Sequence, residues 1–483
     1  MKLSQLRQAL NGARASHFKD CDVTGVTCDS RAVKPGFLFV AMQGLSVDGH
    51  KFIPDAIERG ASAVVAEKPV EWWKPVPAFI VKDARLALAA VCDCFYGFPS
   101  KHITVIGVTG TNGKTTTTHL IKSVVEVAGQ KAGLLGTISY QVGDRRIPAR
   151  ETTPGAQTVQ SFLADMVAAG FHYAVMEVSS HALTQHRTAQ IRFKSAIFTN
   201  LTPEHLDYHR TMENYREAKA ILFDSLAPES FAILNADDPA SQRFAQTKAT
   251  VLTYGLGPGT DVSASLECVT LDGMRICVST PKGRMTVQSP LIGRHNVYNI
   301  ISTVANCVAL GFDLDVIREG VEAVRNVPGR LEPVDSHRDF HVLVDYAHTP
   351  DALQNVLSTL KPLTKNRLIV VFGCGGDRDR TKRPKMGHVA EEIADFVWLT
   401  SDNPRSEVPE SIIREIEGGM TRKDRYYVQP DRRLAIQEAL AAARGGDLVL
   451  IAGKGHESGQ IFRNTVIPFD DRDVARQALS SLN

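Results

Sequence analysis

The stretch ITVIGVTGTNGKTTTTHLIKSVVEV, residues 103–127, decides the fold of this chain. It opens with ITVIGVTG (103–110), a continuous apolar and β-branched run that is typical of a strand buried inside a parallel sheet. A glycine-rich loop follows, and THLIKSVVEV (118–127) then has a helical pattern. A buried strand, a glycine-rich loop and a helix, in that order, indicate a doubly wound α/β sheet with a phosphate site at the helix N-terminus.

The glycine-rich loop GTNGKTT (110–116) is called the phosphate loop below. Its backbone N–H groups can face a phosphate, while Lys114 neutralises the β and γ oxygens and Thr115 ligates Mg²⁺. The loop departs from the pattern GxxxxGK[ST], because the first glycine of that pattern falls on Val108. The alternative is a plain glycine turn with a surface lysine, but the strand–loop–helix context favours an ATP site. The predicted ATP-binding residues of the loop are Gly110, Thr111, Asn112, Gly113, Lys114, Thr115 and Thr116.

The length of 483 residues suggests roughly three domains. Beyond residue 99, strand-like runs alternate with helical patterns, as in a doubly wound sheet. AGLLGTISY (132–140) is one such strand-like run. The segment 249–290 differs, because its short alternating strands and turns indicate a small antiparallel extension of unknown role.

Two clusters of turn residues mark the domain boundaries, 97–100 and 327–330. After the second cluster, strands and helical patterns alternate again, which predicts a Rossmann-like sheet. We therefore predict an α/β protein of three domains. These are a small N-terminal α/β domain (1–98), a central P-loop-type domain with a doubly wound parallel sheet (99–331), and a C-terminal Rossmann-like domain (332–483).

The composition is that of a globular protein, with 43% hydrophobic and 22% charged residues and a net charge of +2. No basic block indicates binding to nucleic acid or to an anionic membrane, so small molecules are the expected partners. The N-terminal stretch lacks an apolar signal segment, and no run is long enough to span a bilayer. We therefore predict a cytoplasmic location. The eight cysteines have neither CxxC nor zinc-like spacing, which predicts reduced thiols.

Two candidate metal ligands follow strands of the central domain. Glu177 ends YAVMEV, and His205 comes shortly after SAIFTNL (195–201). The carboxyl ends of parallel strands meet at one edge of a sheet, so both side chains are expected near Lys114, where they can complete one or two Mg²⁺ shells. Taken alone, each is more often structural.

Lys219 lies in an apolar setting. In a helical reading of YREAKAILF (215–223), Tyr215, Leu222 and Phe223 share its face. The ordinary interpretation is a lysine whose stem packs on apolar groups while its charge reaches water. The alternative is a buried lysine with a lowered pKa, open to modification.

The C-terminal stretch FGCGGDRDRTKR (372–383) keeps a second class of function open. Gly373-Cys374-Gly375 after a strand is similar to a dinucleotide fingerprint, and Asp402 lies near the place of a ribose-binding acid, so an NAD-dependent oxidoreductase is an alternative. However, Arg378 occupies the third glycine position, where its side chain would obstruct the pyrophosphate. A third alternative, a P-loop ATPase acting as a motor or switch, leaves the C-terminal residues without a role.

Taken together, motifs in all three domains resemble the Mur ligase family. These motifs are GTNGKTT (110–116), EVSSHAL (177–183), NLTPEHLDYH (200–209), YREAKAILF (215–223), NADDP (235–239), GRHNVYN (293–299), PGRLE (328–332) and DYAHTPD (345–351). The resemblance implies an ATP-dependent amide-forming ligase of peptidoglycan precursor synthesis. It also implies that Lys219 is carbamylated, so that an anion replaces the amine and helps to hold Mg²⁺.

The resemblance carries further site residues. At the ATP site it implies Asn296, Asn299, Arg330 and Asp345. For a UDP-N-acetylmuramoyl dipeptide it implies Ser30, His50, Thr152, Thr153, Ser179, Gln185 and Arg187, with the uridine end on the N-terminal domain. For diaminopimelate it implies Arg378, Asp402, Asn403, Arg405, Gly453 and Glu457. For Mg²⁺ it implies Thr115, Glu177, His205 and Lys219 as a carbamate, and the implied catalytic residues are Lys114, Lys219, His205 and Glu177.

The tetrapeptide DNPR (402–405) resembles the branch of the family that adds meso-diaminopimelate rather than lysine. Diaminopimelate carries a second carboxylate, and the guanidinium of Arg405 offers that group a bidentate partner. The implied reaction passes through an acyl phosphate, with ATP as cosubstrate and the C-terminal domain closing over the central one. The expected state is a monomer. Another amino acid such as L-lysine stays open as the substrate, and the related folate polyglutamate ligases remain an alternative within this class.

Overall fold

The computed structural model describes residues 1–10, 12–44, 47–69 and 76–482. These residues form three α/β units in chain order, each built around its own sheet, which confirms the predicted fold class. Within the described ranges, no helix is long and apolar enough to cross a membrane.

The N-terminal unit has a five-stranded sheet in the order β1-β5-β4-β3-β2. Only the β1–β5 pair is antiparallel. The strands are β1 (Arg14–Ser16), β2 (Gly25–Thr27), β3 (Phe37–Val40), β4 (Ala63–Ala66) and β5 (Ala78–Ile80). The helices are α1 (Leu3–Ala9), α2 (Ile53–Glu58) and α3 (Ala84–Phe95).

The central unit carries an eleven-stranded sheet in the order β16-β15-β14-β13-β12-β11-β6-β10-β7-β8-β9. The strands are β6 (Thr104–Thr109), β7 (Ala132–Leu135), β8 (Ser139–Val142), β9 (Arg145–Pro148), β10 (Tyr173–Glu177), β11 (Phe193–Phe198), β12 (Phe231–Asn235), β13 (Thr250–Gly255), β14 (Val262–Thr270), β15 (Gly273–Thr280) and β16 (Gly283–Ser289). The helices are α4 (Lys114–Val127), α5 (Ala156–Ala168), α6 (Ser180–Thr184), α7 (Leu206–His209), α8 (Met212–Asp224), α9 (Ser241–Phe244), α10 (Arg294–Ala309) and α11 (Leu314–Glu322).

The centre of this sheet is parallel and covered on both faces. In β6, Ile106 and Val108 face the core formed with α4, α10 and α11, while Val105 faces the core formed with α5 and α8. Burial on both faces explains why β6 is a continuous apolar run. The carboxyl ends of β6, β10 and β11 therefore lie side by side, next to the start of α4.

Two sequence predictions need correction here. The run 132–140 is not one strand: β7 and β8 pair antiparallel across a turn at 136–138. In the segment 249–290, the predicted antiparallel pairing is found between β14, β15 and β16. However, β13 pairs parallel with both β12 and β14, so the whole segment continues the main sheet. Local alternation of residue types does not distinguish an added strand from a separate extension.

The C-terminal unit has a six-stranded sheet in the order β17-β18-β22-β19-β20-β21, and only the β17–β18 pair is antiparallel. Its strands are β17 (Glu332–Val334), β18 (His341–Asp345), β19 (Leu368–Phe372), β20 (Phe396–Leu399), β21 (Tyr426–Val428) and β22 (Leu448–Ala452), and a separate hairpin pairs β23 (Gly459–Phe462) with β24 (Thr465–Pro468). Its helices are α12 (Pro350–Leu360), α13 (Lys382–Ile393), α14 (Pro409–Glu417), α15 (Arg432–Ala442) and α16 (Asp471–Ser481). The domain boundaries at 98/99 and 331/332 stay predictions, although the three sheets lie within those limits.

A buried ion pair joins α15 to α16. Arg432 and Asp471 have fully buried side chains, and the guanidinium donates to both carboxylate oxygens at 2.7 Å. The same guanidinium donates to the carbonyl oxygens of Ser401 (3.3 Å) and Ala452 (2.9 Å), which stand at the ends of β20 and β22. Helix α16 is thereby tied to the edge of the sheet formed by the carboxyl ends of β20 and β22.

Replacing Asp471 with alanine leaves the charge of Arg432 buried and unpaired, so we expect a loss of about 3–5 kcal/mol of stability in the C-terminal domain. The measurement is the Tm of the corresponding unfolding transition. Asp473→Ala on the same helix removes an exposed pair with Arg476 and should change stability by less than about 1 kcal/mol. Equal Tm values for the two variants would show that the Arg432–Asp471 pair does not stabilise the C-terminal domain.

Candidate active site

The phosphate loop runs from the end of β6 to the first turn of α4, as predicted. Gly110 and Gly113 have φ values of 149° and 89°. A Cβ atom on Gly110 would lie 1.8 Å from Thr199 Oγ1, and one on Gly113 would lie 2.4 Å from Asn299 Oδ1. Because both positions need a positive φ and close approach, glycine is required at each of them.

Lys114 is folded back over the loop. Its Nζ donates to the carbonyl oxygens of Gly110 (2.9 Å) and Thr111 (2.8 Å). Burial lowers the pKa of Lys114, while the carboxylates of Glu204 and Glu177 act in the opposite direction. The ammonium therefore braces the loop and lies within electrostatic reach of the carboxylates of Glu204 and Glu177.

A cavity of about 300 Å³ opens beside the loop, between the central and C-terminal units. It is called the nucleotide cavity below. Of the predicted ATP-binding residues, those that line it are Asn112, Gly113, Thr115, Thr116, Asn296, Asn299, Arg330 and Asp345. The remaining three, Gly110, Thr111 and Lys114, form part of the same loop without lining this cavity.

Contacts across this cavity connect the two units. Arg330 donates from Nη2 to Thr115 Oγ1 at 3.2 Å. Asn112 donates from Nδ2 to Asp351 Oδ2 at 3.1 Å, at the N-terminal turn of α12. The carboxylate of Asp345 accepts hydrogen bonds from the backbone N–H groups of Ala347 and Leu331. The phosphate loop is thus bonded to the C-terminal unit and to the linker that leads into it.

Glu177 is fully engaged at the end of β10. Its Oε1 accepts from Thr115 Oγ1 (3.0 Å) and from the Thr137 backbone N–H (2.8 Å), and its Oε2 accepts from Thr137 Oγ1 (2.9 Å). The residue is 1% exposed. Thr137 follows β7, so two neighbouring strand ends hold this carboxylate against the phosphate loop.

His205 stands at the start of α7 with a φ of 57°, and its Nε2 lies 3.7 Å from Glu204 Oε2. Burial lowers the pKa of His205 to about 4, so its imidazole is neutral at neutral pH. Burial alone would raise the pKa of Glu204, but hydrogen bonding to His348 and the positive charge of Lys114 hold it well below its usual range. Sequence reasoning missed Glu204, although it lies within NLTPEHLDYH.

Lys219 is 1% exposed, and its Nζ lies 4.4 Å from the ring centroid of Tyr215. Within the described residues, its ammonium makes no hydrogen bond and no ion pair. Burial lowers the pKa of Lys219 well below its usual range, and the charge of Lys114 lowers it further against the pull of Glu204. The interpretation of Lys219 as a lysine whose charge reaches water is wrong, because the whole side chain is enclosed.

The predicted metal ligands form two groups around Lys114: Thr115 with Glu177, and His205 with Lys219. In the part of the chain that the structure describes, no three His, Cys, Asp or Glu side chains are arranged to hold a metal ion. The hydroxyl and carboxylate oxygens of the first group are donors that Mg²⁺ prefers. The residues therefore fit Mg²⁺ bound through a few protein oxygens, with nucleotide phosphate and water filling the other positions.

A second cavity of about 500 Å³, called the substrate cleft below, lies between the same two units. Four of the seven residues predicted to bind the dipeptide, one of the four predicted metal ligands and all six residues predicted to bind diaminopimelate line it together. These are Thr152, Thr153, Ser179, Arg187, His205, Arg378, Asp402, Asn403, Arg405, Gly453 and Glu457. The structure thus brings residues that lie up to 305 positions apart in the chain, Thr152 and Glu457, into one cleft.

Three predicted dipeptide residues lie outside the cleft. Ser30 lies in a 3₁₀ turn of the N-terminal unit. Both ring nitrogens of His50 are occupied, since Nδ1 lies 2.6 Å from Asp48 Oδ1 and Nε2 accepts from the Glu67 backbone at 3.0 Å. Gln185 uses its Oε1 to accept two hydrogen bonds from Arg187. His50 and Gln185 therefore shape their surroundings in this structure.

At the C-terminal end of the cleft, two guanidinium groups lie close together. Arg405 donates from Nη1 to the carbonyl of Gly376 at 2.8 Å, and Arg378 donates to its neighbouring carbonyl. Burial lowers the pKa of Arg405, and the charge of Arg378 lowers it further. Two like charges facing one cavity favour a ligand that brings a carboxylate.

Lys454 supplies a third cation, which contacts two of the residues that line the cleft. Lys454 is fully buried, and its Nζ donates to Glu457 Oε2 (2.8 Å) and to Asn403 Oδ1 (3.0 Å). Asn403 in turn donates to the same oxygen of Glu457 at 2.8 Å. Sequence reasoning missed Lys454, although it stands between two predicted residues, Gly453 and Glu457.

The two cavities adjoin. Tyr346 and His348, which follow β18, line both the nucleotide cavity and the substrate cleft. The oxidoreductase alternative fits this arrangement poorly, because the loop 373–381 separates β19 from α13 and the glycines do not lead directly into the helix.

Family comparisons agree with this architecture. The chain matches the Mur ligase family catalytic domain over residues 22–92, the Mur ligase middle domain over 108–307, and the Mur ligase glutamate ligase domain over 329–455. The chain belongs to the Mur ligase family, which confirms the resemblance found in its motifs.

Among its relatives is the UDP-N-acetylmuramoyl-L-alanyl-D-glutamate--2,6-diaminopimelate ligase of Geobacillus thermodenitrificans, 48% identical over 487 residues that cover 99% of each chain. The ligase of the same name from Gloeobacter violaceus is 46% identical over 482 residues, 99% of this chain and 98% of the other. A solved structure of a ligase with that name is 35% identical, covers 95% of both chains and superposes with a TM-score of 0.67. The MurF ligase of Thermotoga maritima in complex with ADP is 20% identical with a TM-score of 0.66 over 95% of this chain and 96% of the other, which shows a shared fold.

Proposed function

We propose that this chain joins meso-diaminopimelate to the D-glutamate γ-carboxylate of UDP-N-acetylmuramoyl-L-alanyl-D-glutamate, with cleavage of ATP to ADP and phosphate. The product is a precursor of peptidoglycan. The proposal rests on one observation. The nucleotide cavity and the substrate cleft adjoin at Tyr346 and His348, and the cleft is lined both by residues predicted to bind the dipeptide and by residues predicted to bind diaminopimelate. The full-length similarity to ligases of this name supports it.

In the first step, an oxygen of the γ-carboxylate attacks the γ-phosphorus of ATP, and the bond to ADP breaks. The product is an acyl phosphate. Phosphoryl transfer needs positioning and neutralisation of charge. Lys114 supplies a positive charge from the phosphate loop, and Arg330 supplies a second one beside Thr115.

In the second step, the neutral amine of diaminopimelate attacks the acyl carbon, phosphate leaves, and the new amide nitrogen loses a proton. Holding the carboxylate, ATP and the amine in one place supplies about 7–11 kcal/mol of the barrier reduction. The acyl phosphate must also be kept from water. The hydrogen bonds of Asn112 to Asp351 and of the Leu331 N–H to Asp345 connect the two units beside the nucleotide cavity.

We propose Mg²⁺ as the metal that accompanies ATP, where it would neutralise charge on the phosphates. Thr115 and Glu177 are the oxygen donors nearest the phosphate loop, and His205 presents a neutral imidazole. We also propose that Lys219 is carbamylated. Its amine adds to CO₂, a nitrogen–carbon bond forms and one proton leaves, so that the enclosed side chain becomes an anion beside Lys114.

Diaminopimelate is the proposed amine because its far end carries both a carboxylate and an ammonium. Arg405 and Arg378 face the place of the carboxylate, and Glu457 faces that of the ammonium. Lysine lacks the carboxylate and would leave the two guanidinium groups without an anion. A site built for that pairing can reject lysine strongly.

Arg405→Ala should lower kcat/KM for diaminopimelate about 100-fold, because a charge-assisted hydrogen bond to the carboxylate is lost. The ratio of kcat/KM for diaminopimelate to that for lysine should fall by the same factor. Arg433→Ala, an exposed arginine bonded to Gln477 on α16, should leave both values unchanged. An unaltered ratio in Arg405→Ala would place the discrimination elsewhere.

The proposed reaction is tested by phosphate release with the UDP-dipeptide and a panel of amines. Phosphate should appear only when ATP, the UDP-dipeptide and diaminopimelate are all present. With ¹⁸O in the γ-carboxylate, one labelled oxygen should be found in the released phosphate. Product formation with unlabelled phosphate would exclude the acyl phosphate. Turnover with lysine but not with diaminopimelate, in the presence of ATP and the UDP-dipeptide, would establish lysine as the amino acid substrate.

We propose that the N-terminal unit holds the uridine end of the substrate and that the chain acts as a monomer in the cytoplasm. Light scattering with and without the three substrates measures the oligomeric state directly.

A further inference from the structure

The hairpin of β23 and β24 (Gly459–Pro468) stands apart from the three main sheets. Its outer strand is exposed, with Val466 63% and Ile467 47% exposed. Its inner strand, in contrast, faces the tetrapeptide 402–405, which supplies three of the proposed diaminopimelate-binding residues. The arrangement of this inner strand carries an inference that rests on the proposed function.

The inner strand β23 and the turn after it are hydrogen-bonded to the tetrapeptide. Gln460 donates from Nε2 to the carbonyl of Asp402 at 2.7 Å. The N–H of Ile461 donates to Asn403 Oδ1 at 3.0 Å. The backbone N–H of Arg405 donates to the carbonyl of Ile461 at 3.0 Å. The carbonyl of Arg405 accepts from the backbone N–H of Arg463, in the turn between β23 and β24, at 2.6 Å.

These bonds hold Arg405 in an unusual backbone conformation. Its φ is 51°, in the left-handed region that non-glycine residues rarely adopt. The two backbone bonds to the hairpin oppose a relaxation to negative φ, which would turn the side chain away. In the held conformation, the guanidinium reaches the carbonyl of Gly376 and lines the substrate cleft beside Arg378.

Gln460 is the side chain through which the hairpin fixes the start of the tetrapeptide. It is 6% exposed, and the Asp402 residue that accepts its bond is 7% exposed. Among the described residues, no other donor reaches the Asp402 carbonyl. The side chain of Gln460 therefore sets the peptide plane between Asp402 and Asn403, and with it the directions of both side chains.

We propose that the hairpin Gly459–Pro468 determines specificity for the amino acid substrate, and that Gln460 is a positioning residue acting through Asp402 and Asn403. No residue of the hairpin lines the substrate cleft itself. The hairpin sets the angle at which the tetrapeptide presents its amide and guanidinium to the far end of diaminopimelate. The inference deepens the proposed function, because it names what orients the amino acid site.

Gln460→Glu tests the inference, since it keeps the shape but replaces the donating N–H with an oxygen that repels the Asp402 carbonyl. The KM for diaminopimelate should rise about tenfold, as expected for the loss of one buried hydrogen bond. The KM values for ATP and the UDP-dipeptide should stay within about twofold, and the preference for diaminopimelate over lysine should shrink. Val466→Thr, on the exposed strand of the same hairpin, should change none of these values.

A merely structural role would lower kcat or the Tm while leaving the KM for diaminopimelate unchanged, and that result would overturn the inference. If Gln460→Glu does not fold, Gln460→Met removes the donor without adding charge and is judged by the same KM values. Failure of the proposed function is distinguishable, because the wild-type protein would then release no phosphate with diaminopimelate. Wild-type turnover with unchanged KM in the variant rejects only the role of the hairpin.

Discussion

Replacing Lys219 with alanine is expected to lower the rate of ATP-dependent phosphate release at least about 1,000-fold, the scale on which loss of one preorganised charge slows an enclosed reaction. The reason is the position of this side chain. It is enclosed beside Lys114 and Tyr215 and makes no hydrogen bond within the described residues. An unpaired buried ammonium next to the charge of Lys114 is unfavourable, so its conversion to an anion beside that cation relieves an electrostatic conflict.

Two further variants separate the carbamate from a simple positive charge. Lys219→Arg keeps a cation but cannot form a carbamate, so we expect it to be as inactive as Lys219→Ala. A short-chain carboxylic acid should restore part of the activity of Lys219→Ala by placing a carboxylate in the vacated space, whereas bicarbonate should not. An active Lys219→Arg protein would remove the carbamate from the mechanism.

Lys194→Ala serves as the matched control for this series. Lys194 also lies near an aromatic ring, 5.3 Å from the centroid of Phe231, and donates to the carbonyl of Glu229. It stands on the central sheet but lines neither the nucleotide cavity nor the substrate cleft. Its removal should leave phosphate release unchanged.

The central part of the site was predictable from sequence because local order determines it. A buried strand, two glycines with positive φ and the start of a helix follow one another within 104–127, so no distant residue is needed to recognise the phosphate loop. The positions of Glu177 and His205 follow from a general rule on parallel strand ends. In the structure both side chains lie within electrostatic reach of Lys114, while their role as metal ligands stays a prediction.

The rest of the site depends on contacts between distant segments. Nothing local to Glu204 shows that His348, from the C-terminal unit, lies 3.4 Å from its carboxylate. The burial of Lys219 likewise depends on elements that pack around α8. Residue spacing alone favoured a lysine whose charge reaches water. From sequence alone, Arg405 is interpreted as a charged residue of a surface turn, because the hairpin that fixes its backbone is distant in the chain. Only the family resemblance indicated a role for it.

A Lys114→Met variant is expected to lose phosphate release about 1,000-fold, comparable to the loss of a preorganised donor at the reacting phosphate. Methionine keeps most of the apolar length but has no charge. It also gives up the bonds to the carbonyls of Gly110 and Thr111 that brace the phosphate loop. The side chain would thus stop both shaping the loop and neutralising the γ-phosphate during transfer.

Nucleotide binding distinguishes these two contributions. If charge on the γ-phosphate dominates, Lys114→Met should weaken binding of ATP more than binding of ADP, as measured by titration with fluorescent analogues. If bracing of the loop dominates, both nucleotides should lose affinity equally. Lys122→Met, two turns further along α4 in a partly exposed pair with Glu126, should alter neither. A Lys114→Met protein that keeps more than about a tenth of the wild-type kcat would contradict the role of this lysine in phosphoryl transfer, because no other cation in the described phosphate loop could replace it.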